Sequence, residues 1–361
     1  MALTQEIIEL LSINLIKDVG FIRLNRLIEH FGSISEIFKA KKKDFSNIKG
    51  ITLEIAEEIS SFDKNEVEKQ IKEIEKYNVS LLSVFDDKYP QILKNIYSPP
   101  IILFVRGNFL SDNDINVAIV GTRKASFYGM QTAEKLAYEL GQLDITIVSG
   151  LASGIDSNAH KGALKAKAKT IGVLGCGVDI CYPSSNKRLF SQMLEKGVIV
   201  SELSMGFKPN KNTFPMRNRI ISGLSKGVVV VEAAKKSGSL ITADLALEQG
   251  REVFAVPGRI DCSVARGTLE LIKNGAKLVQ YTDDILEEIG YERKKMDHEN
   301  KNNELTESHK KILDMISKEP LYIDDIQEKL MCDFGTLNSI LLQMQLTGLI
   351  NESPGKVYSL K

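Results

Sequence analysis

The sequence predicts an α/β protein with a central, doubly wound and mostly parallel sheet, a helical domain before it and a smaller helical unit with a hairpin after it. Three observations predict this architecture. Short apolar runs alternate with helical patterns between residues 115 and 280. The region before them repeats a helix, a glycine turn and a helix. The last stretch of the chain shows three helical patterns and then two short apolar segments around a turn.

The distribution of charge along the chain is uneven, although the net charge is zero. Residues 111–282 contain 22 Lys and Arg against 15 Asp and Glu, whereas residues 283–361 contain 10 against 16. A basic central module favours a polyanionic ligand there. The four cysteines lack the spacing of a zinc site, so reduced thiols and no structural zinc are predicted. No cofactor is predicted. Early acidic residues and the lack of a long apolar run predict a cytoplasmic protein without membrane contact.

The sequence pattern of residues 1–78 predicts a helical domain of the helix-hairpin-helix or SAM-like kind. Turns with a glycine between hydrophobic residues occur at Lys17–Phe21 and Asn47–Ile51, and apolar helical stripes flank both turns. In the helix-hairpin-helix class such turns can contact a DNA backbone, although a plain helical bundle gives the same pattern. Because this segment is slightly acidic, partner binding or simple support is favoured over DNA contact.

Residues 79–290 predict an extended Rossmann-like domain. Val79–Phe85 and Ile101–Val105 are expected strands in its first part. The later strands are predicted at Val117–Val120, Ile145–Val148, Ile171–Leu174, Val198–Val200, Val228–Val231, Val253–Val256 and Lys277–Val279. Helical segments separate most of them, and runs that are apolar on both faces indicate a parallel sheet covered on both sides. In such sheets ligands bind at the carboxyl ends of the strands.

Two segments follow the central domain. Residues 291–304 are strongly polar and predict a flexible linker. Residues 305–361 predict a winged-helix domain, because three helices are followed by a possible hairpin. This unit contains six Lys against eight Asp and Glu, whereas a duplex-reading winged helix is usually basic. A protein-contact or regulatory role is therefore predicted for it, and deletion of residues 291–361 should leave affinity for single strands largely intact.

Four predicted strand ends are rich in glycine and hydroxyl side chains. They begin at Gly121, Ser149, Gly175 and Ser237, and a helix follows each of them. Free N–H groups and partial positive charge at a helix start suit a phosphate. A row of such turns on one sheet edge suggests a backbone with several phosphates. Phe190, one helical turn after Lys187, is the first candidate for stacking bases among six aromatic residues in these loops, which are Phe127, Tyr128, Tyr182, Phe190, Phe207 and Phe214.

Enzyme signatures are absent from the chain. It has no P-loop, no G-x-G-x-x-G after a strand, no G-x-S-x-G and no H-E-x-x-H. Asp156 and His160 could form an acid–base pair, but a capping role for Asp156 and a packing role for His160 are favoured. Phe214–Arg219 carries two guanidinium groups that suit either a phosphate or an internal carboxylate. No catalytic residue is assigned, and the protein is predicted not to be an enzyme.

Motifs along the whole chain resemble those of the DNA-processing protein A family (DprA, also called Smf). They include V-A-I-V-G-T-R ending at Arg123, I-V-S-G-L-A ending at Ala152, Tyr182-Pro183, F-P-M-R-N-R ending at Arg219, S-G-S-L-I-T ending at Thr242 and G-R-E-V-F-A-V-P-G ending at Gly258. The resemblance implies a mediator of recombination that binds single-stranded DNA. Such a protein protects incoming DNA in natural transformation and loads the RecA recombinase onto it.

The resemblance also implies where this chain would meet its partners. It implies DNA contacts at Arg123, Lys187 and Phe190, and a homodimer formed through the α/β domain. The last helix of that domain, with Leu269, Leu271 and Ile272, is the candidate dimer surface, and Asp244–Gln249 is a weaker candidate for the recombinase contact. The candidate nucleic-acid-binding residues are Gly121, Thr122, Arg123, Ser126, Ser149, Gly150, Lys187, Phe190, Arg217, Asn218, Gly238 and Ser239.

One departure and one alternative accompany this interpretation. Position 153 is Ser where the family more often has a basic residue, so Lys124 or Lys161 would have to compensate for a lost phosphate contact. The alternative function is a nucleotide phosphoribohydrolase-like enzyme on a related α/β fold. Those enzymes carry P-G-G-x-G-T-x-x-E, and the corresponding stretch here has no Glu at the matching spacing.

Overall fold

A computed structural model describes residues 3–107, 114–291, 306–317, 319–346, 349–353 and 355–360. The chain divides into two compact units, Met1–Glu292 and Arg293–Lys361. The predicted linker lies outside the described residues, except for Tyr291. None of the described helices is both long enough and apolar enough to span a bilayer.

The predicted helical region is present at the start of the first unit. Its helices are α1 Gln5–Leu15, α2 Phe21–Phe31, α3 Ile34–Lys39, α4 Leu53–Ser60 and α5 Lys64–Lys76. Four of the five begin at a residue whose side chain accepts a hydrogen bond from the first turn, which satisfies one otherwise unpaired N–H group. These caps are Thr4, Ser33, Thr52 and Asp63. Local sequence therefore determines where these helices begin.

The N-terminal helices share one hydrophobic core with part of the α/β domain. Leu10 and Leu27 belong to the same buried cluster as Leu174 and Phe190. The Gln70 side chain reinforces this contact, since its amide group donates to Met205 O at 3.2 Å and its oxygen accepts from Met205 N–H at 2.9 Å. Both partners are buried, so the amide replaces the water that these backbone groups have lost.

A nine-stranded, mostly parallel sheet forms the centre of the first unit, as predicted. Its strands are β1 Ser80–Ser83, β2 Ile102–Gly107, β3 Asn116–Val120, β4 Thr146–Ser149, β5 Thr170–Val173, β6 Val198–Ser201, β7 Gly227–Val230, β8 Glu252–Ala255 and β9 Lys277–Leu278. Strands β3 to β9 are parallel to one another, whereas β2 runs antiparallel to β6.

The order of the strands is β1-β2-β6-β5-β4-β3-β7-β8-β9. From β3 the chain builds outward through β4, β5 and β6, and it then returns to the other side of β3 with β7. The neighbouring pair β3 and β7 is thus the point at which the direction of winding reverses. In open α/β sheets the loops that leave the strands on either side of such a point diverge and create a crevice for a ligand.

Helices cover both faces of the sheet. They are α6 Gln91–Lys94, α7 Phe127–Gln142, α8 Ile155–Lys165, α9 Lys187–Lys196, α10 Thr213–Gly223, α11 Gly238–Glu248, α12 Arg266–Lys273 and α13 Asp283–Glu288. One core contains residues of α7, α8 and α13, and a separate core contains residues of α6, α10 and α11. Two cores on opposite faces explain why the strands are apolar on both sides.

The second unit has the predicted winged-helix order. Its elements are α14 Glu307–Ile316, β10 Leu321–Tyr322, α15 Ile323–Leu330, α16 Phe334–Leu346, β11 Ile350–Ser353 and β12 Val357–Leu360. The sequence did not predict β10, which is only two residues long and pairs with β12. Ile312, Ile326 and Leu337 are buried in the core of the unit. The sequence of α16, FGTLNSILLQMQL, contains no charged residue.

Candidate nucleic-acid interface

A cavity of about 610 Å³ lies at the carboxyl edge of the sheet, where the loops that follow β3 and β7 diverge. We call it the edge cavity. Its walls come from the loops after β3, β4 and β7 and from the start of α10. Among the residues that line it are Gly121, Thr122, Arg123, Asp156, Tyr182, Lys211, Phe214, Arg217, Asn218, Gly238 and Ser239. A smaller cavity of about 130 Å³ adjoins it and shares Arg123, Tyr182, Phe214 and Arg217.

The turn after β3 is held by Glu232, which follows β7. Thr122 N–H donates to Glu232 O at 2.7 Å, and the Ser126 N–H and hydroxyl both donate to the Glu232 carboxylate. The Ser126 hydroxyl also accepts from Gly129 N–H at 3.0 Å, so it caps α7. The sequence predicted a phosphate site at the start of α7. Here an internal carboxylate occupies that position, and Ser126 orders the turn.

Two glycines allow neighbouring turns to pack against each other. A Cβ atom on Gly121 would lie 2.5 Å from Ile155 Cγ1 and 2.9 Å from Glu232 O, which is too close for any side chain. Gly154 has a φ of +83°, and a Cβ atom there would overlap Thr122 O. Gly154 requires glycine because the loops after β3 and β4 meet backbone to backbone there, whereas Gly121 requires it because the Ile155 side chain and the Glu232 carbonyl lie against it. This close approach brings Thr122 and Arg123 to the wall of the edge cavity.

Arg217 lies on the cavity wall but is only 6% exposed. Its guanidinium donates to Gly150 O at 2.8 Å, to Val173 O, and to the Asn218 side-chain oxygen at 3.2 Å. The Asp156 carboxylate, on the same wall, accepts from Gly150 N–H at 3.1 Å. Burial lowers the pKa of Arg217 to about 10 and raises the pKa of Asp156. These two groups fix the loop after β4.

The second guanidinium of the F-P-M-R-N-R motif is also paired inside the protein. Arg219 forms an ion pair with Glu202, and both side chains are largely buried. Of the two possibilities that the motif left open, the internal carboxylate therefore applies to Arg219. Burial raises the pKa of Glu202, whereas the nearby charge of Arg219 opposes that shift. Neither arginine of the motif extends freely into solvent.

An aromatic platform borders both cavities. The Arg123 guanidinium carbon lies 4.9 Å from the centroid of the Phe214 ring, within the range of a cation–π contact. The Tyr182 ring stacks on Phe214 with a centroid distance of 5.5 Å and an angle of 26°. We call these three side chains the aromatic platform. Phe214 and Tyr182 are missing from the candidate site residues, although the F-P and Tyr-Pro motifs that carry them were recognised.

The start of α11 forms the opposite wall of the edge cavity. The Ser237 hydroxyl accepts from Ser239 N–H at 3.4 Å and lies 2.8 Å from the Ser239 hydroxyl. The Asn218 side-chain amide donates to Gly238 O at 3.2 Å, which joins α10 to this turn. A Cβ atom on Gly238 would meet nothing within 4 Å, so the backbone there is open to a ligand. Helix α11 therefore presents its positive end toward the cavity.

Exposed cations lie in the loops at the same edge of the sheet as the edge cavity, and two of them, Arg123 and Lys211, line it. Eight of them lie in the loops after β3, β6 and β7 and at the start of α9, and none forms an ion pair with another described residue. We call this set the cationic rim. Its members are Arg123, Lys124, Lys187, Arg188, Lys208, Lys211, Lys235 and Lys236. Unpaired like charges repel one another, so a rim of this kind favours an anionic ligand.

Comparisons with known proteins identify the family. A family model described as DNA recombination-mediator protein A matches residues 80–290, and one described as the DprA winged helix domain matches residues 296–356. Protein Smf of Synechocystis is 35% identical over 381 residues, which cover 95% of this chain and 96% of that protein. The chain belongs to the DprA/Smf family.

Two solved DprA structures resemble this DprA-family protein. That of Streptococcus pneumoniae is 36% identical, has a TM-score of 0.68, and the match covers 80% of this chain and 99% of that chain. The structure from Helicobacter pylori is 32% identical with a TM-score of 0.54, and the match covers 59% of this chain and 96% of that chain. The Helicobacter structure is described as giving insight into a single-stranded DNA binding mode.

The structure brings most of the candidate site residues together, but two of them, Ser149 and Phe190, are buried and line neither cavity. Gly150 lines the smaller cavity, and seven others line the edge cavity; these are Gly121, Thr122, Arg123, Arg217, Asn218, Gly238 and Ser239. Lys187 belongs to the cationic rim. Ser149 is fully buried, and its hydroxyl donates to Ile119 O at 2.6 Å. Phe190 is 8% exposed and packs in the core shared with the N-terminal helices, so its ring has no free face for stacking.

Asp156 and His160 do not form an acid–base pair at the cavity. His160 Nδ1 lies 2.7 Å from the Thr170 hydroxyl, which itself donates to Ile147 O, so Nδ1 carries the proton. Burial lowers the pKa of His160 to about 3. The packing role predicted for His160 fits this position. Asp156 binds the N–H groups of Gly150 and Ala152 in the preceding loop, so the prediction that it caps α8 was wrong.

The edge of this DprA-family protein offers no evident metal site. Among the residues that the structure describes, no three His, Cys, Asp or Glu side chains are grouped closely enough to hold an ion. The four cysteines are unpaired. Burial raises the pKa of Cys176 to about 12, so this thiol is a weak nucleophile. The groups that can meet a ligand are therefore cations, aromatic rings and backbone N–H groups.

Proposed function

We propose that this DprA-family protein binds single-stranded DNA along the carboxyl edge of its sheet and acts as a recombination mediator rather than as an enzyme. The observation that carries the proposal is the cationic rim at the same edge of the sheet as the edge cavity, with the aromatic platform beside it. One phosphate needs one or two cations, whereas this edge offers eight. A polymer with regularly spaced phosphates matches that number better than a mononucleotide does.

The two kinds of group suggest how the strand is held. The phosphates would lie against the rim and against the N–H group of Gly238 at the start of α11. Bases would stack on the aromatic platform, which accepts any base because every base has a π-face. A base inside a duplex cannot expose both faces to a protein ring. The platform therefore favours a single strand over a duplex.

The recombination role is supported by family membership. Within this role, the protein protects incoming DNA during natural transformation in the cytoplasm and loads RecA onto it. The exposed side chains of Asp244 and Leu247 on α11 make that helix a reasonable surface for the recombinase. The predicted homodimer would use α12, where Leu269, Leu271 and Ile272 are each only half-buried.

The geometry gives less support to the phosphoribohydrolase alternative. Such an enzyme needs a carboxylate that reaches its substrate, and Asp156 is the one carboxylate on the wall of the edge cavity among the described residues. This carboxylate is buried, close to Arg217, and it accepts backbone hydrogen bonds. Release of free base from nucleoside monophosphates would be the result that supports catalysis.

Fluorescence anisotropy with a labelled oligonucleotide, single-stranded or duplex, across a salt series tests the proposal. We expect tight binding to the single strand, with affinity falling steeply as salt rises. The double substitution Arg123→Ala with Lys187→Ala should weaken binding at least tenfold and flatten the salt dependence, because two phosphate contacts are lost. RecA filament formation on the bound strand would then be measured.

A charge-matched control separates local contact from general attraction. Lys196 and Lys226 are exposed cations next to the amino ends of β6 and β7, on the opposite edge of the sheet. The double variant Lys196→Ala with Lys226→Ala removes the same charge and should bind the single strand like the original protein. Equal losses in both double variants, or equal affinity for duplex and single strand, would contradict a specific site at the carboxyl edge.

A further inference from the structure

A second depression, of about 870 Å³, opens at the same edge of the sheet, beyond the edge cavity, and follows α7 as far as Glu139. Helix α7 forms one wall. The residues that follow β8 and β9, including Pro257 and Gln280, form the other. Three tyrosines line it, Tyr128, Tyr138 and Tyr281, and we call it the tyrosine groove. Of these three, only Tyr128 is among the aromatic residues that the sequence places near the strand ends, and none is a candidate nucleic-acid-binding residue.

The tyrosine rings are accessible to solvent, and the residues beneath them are buried in the core. Tyr128 is 53% exposed and Tyr281 is 69% exposed. The Tyr128 hydroxyl donates to Pro257 O at 3.4 Å, so the ring lies along the groove rather than extending freely into solvent. Val256 and Val279, at the base of the groove, are buried in the core on that face of the sheet. A flat ligand would therefore meet rings that are already positioned.

The charges in the groove cancel one another. Lys135 lies 3.7 Å from Glu139, and Lys165 lies 3.5 Å from Glu134. The Lys165 ammonium is also 6.0 Å from the centroid of the Tyr138 ring. Phosphates gain little from such a surface, whereas uncharged aromatic groups are suited to it. The groove therefore differs from the unpaired cationic rim and suits the uncharged parts of a ligand.

The mouth of the groove lies at the strand ends next to those that border the edge cavity. The loop after β7 lines the cavity, and β8 and β9 are the next two strands of the sheet. Along the chain, Arg123 and Lys124 of the rim are followed by the exposed Phe127 and then by Tyr128 of the groove. A strand bound at the rim thus reaches the groove by following the edge past the next two strand ends.

We propose that the tyrosine groove stacks nucleobases of the same DNA strand whose phosphates lie on the cationic rim. The proposal rests on the proposed function, and it extends the interface from the point where the loops that follow β3 and β7 diverge to the end of β9. The rim supplies electrostatic attraction, and the groove supplies stacking. The protein therefore contacts more nucleotides than the edge cavity alone can hold, and its affinity rises with the length of the strand.

The test compares two oligothymidines, one of about 6 and one of about 20 nucleotides, by anisotropy with the full chain. The variant Tyr128→Ala with Tyr281→Ala removes two exposed rings. It should weaken binding of the long strand roughly tenfold and leave the short strand unaffected, because the short strand occupies only the rim and the platform. Tyr97→Ala removes a tyrosine that is 87% exposed elsewhere on the surface, and it serves as the matched control.

Intrinsic fluorescence provides an independent readout. The chain contains ten tyrosines and no tryptophan, so its emission reports tyrosine directly. Long strands should quench this emission more than short strands, and the excess quenching should disappear in the Tyr128→Ala, Tyr281→Ala variant. Melting temperature and circular dichroism would show that each variant is folded.

The results distinguish failure of this inference from failure of the proposed function. If neither strand binds the original protein, the proposed function fails, and the groove proposal fails with it. If both strands bind, but the tyrosine variant keeps full affinity and full quenching for the long strand, the groove proposal alone is overturned. Equal weakening by Tyr97→Ala would also overturn it, because the effect would then not depend on the groove.

Discussion

Arg123 and Arg217 both come from motifs that suggest phosphate binding, yet the structure uses them in opposite ways. Arg217 is buried, lies beside Asp156 and donates to two backbone carbonyls. Arg123 is exposed, forms no ion pair with another described residue and lies over the Phe214 ring. A guanidinium whose donors are already used cannot also hold a phosphate firmly. The comparison separates residues that build the edge cavity from residues that are free to meet a ligand.

The same division runs through the other candidates. Ser126 and Ser149 use their hydroxyls inside the protein, and their substitution would disturb the loops. Lys187 and the remaining members of the cationic rim have no such internal role. We therefore expect interior substitutions to lower stability and rim substitutions to lower affinity.

Arg217→Ala should cause the largest loss of stability. It would leave the carbonyls of Gly150 and Val173 buried without their guanidinium donor, and each buried acceptor left unsatisfied costs about 1–3 kcal/mol. Urea unfolding followed by circular dichroism would measure the free energy of unfolding. Arg123→Ala is the matched control, and it should change that free energy by less than about 0.5 kcal/mol. If both variants lowered the free energy of unfolding equally, the view that Arg217 supports the fold and Arg123 does not would be wrong.

The free energy of unfolding should depend on pH through His160. Burial lowers the pKa of His160 from 6.5 to about 3, so the unfolded chain takes up a proton that the folded protein excludes. The stability contributed by the neutral ring is fully present above pH 6.5 and is lost as pH falls from there toward 3. Between pH 7 and pH 5 we expect a loss of about 2 kcal/mol in the free energy of unfolding.

His160→Gln provides the comparison for this pH effect. Glutamine does not titrate, so the part of the decline that belongs to His160 should be missing in the variant, even if the variant is less stable at pH 7. Urea unfolding at both pH values would give the two slopes. If the variant loses stability with the same slope, another group is responsible for the pH dependence.

The smallest effect is expected when the winged-helix unit is removed. Helix α16 has no charged residue and therefore lacks the cations with which a recognition helix holds a DNA backbone. Truncation after Tyr291 keeps the hydrogen bond from its hydroxyl to Leu143 O at 2.8 Å. Affinity for single-stranded DNA should stay within about twofold of the full chain by anisotropy. A large loss would show that the second unit takes part in binding.

The sequence predicted the strands and layers of this protein because their cause is local. A parallel strand that is buried on both faces must be apolar throughout, so Val117–Val120 or Val228–Val231 can be recognised without knowledge of their neighbours. Glycine turns after such strands are equally visible. These features were sufficient to locate the carboxyl edge and most of the residues that line the edge cavity.

The remaining features depend on residues that are distant in the chain. The contact between Ser126 and Glu232 joins positions 106 residues apart, and nothing near Ser126 shows that a carboxylate will occupy the start of α7. Phe190 follows Lys187 on α9, but the N-terminal helices cover its ring. The stacking of Tyr182 on Phe214 likewise results from two separate loops. Tertiary packing decides these roles, and a local pattern cannot.

The contact between Gln70 and Met205 determines which residues these two positions can accept in related sequences. The Gln70 amide binds the N–H and C=O of Met205, and these groups are the same whichever side chain position 205 carries, proline excepted. Position 205 can therefore accept another apolar residue of similar size without losing these two bonds. The requirement falls on position 70, where only an amide supplies both a donor and an acceptor in that geometry. In related proteins that keep this contact, position 70 should therefore remain glutamine, whereas position 205 should vary among apolar residues.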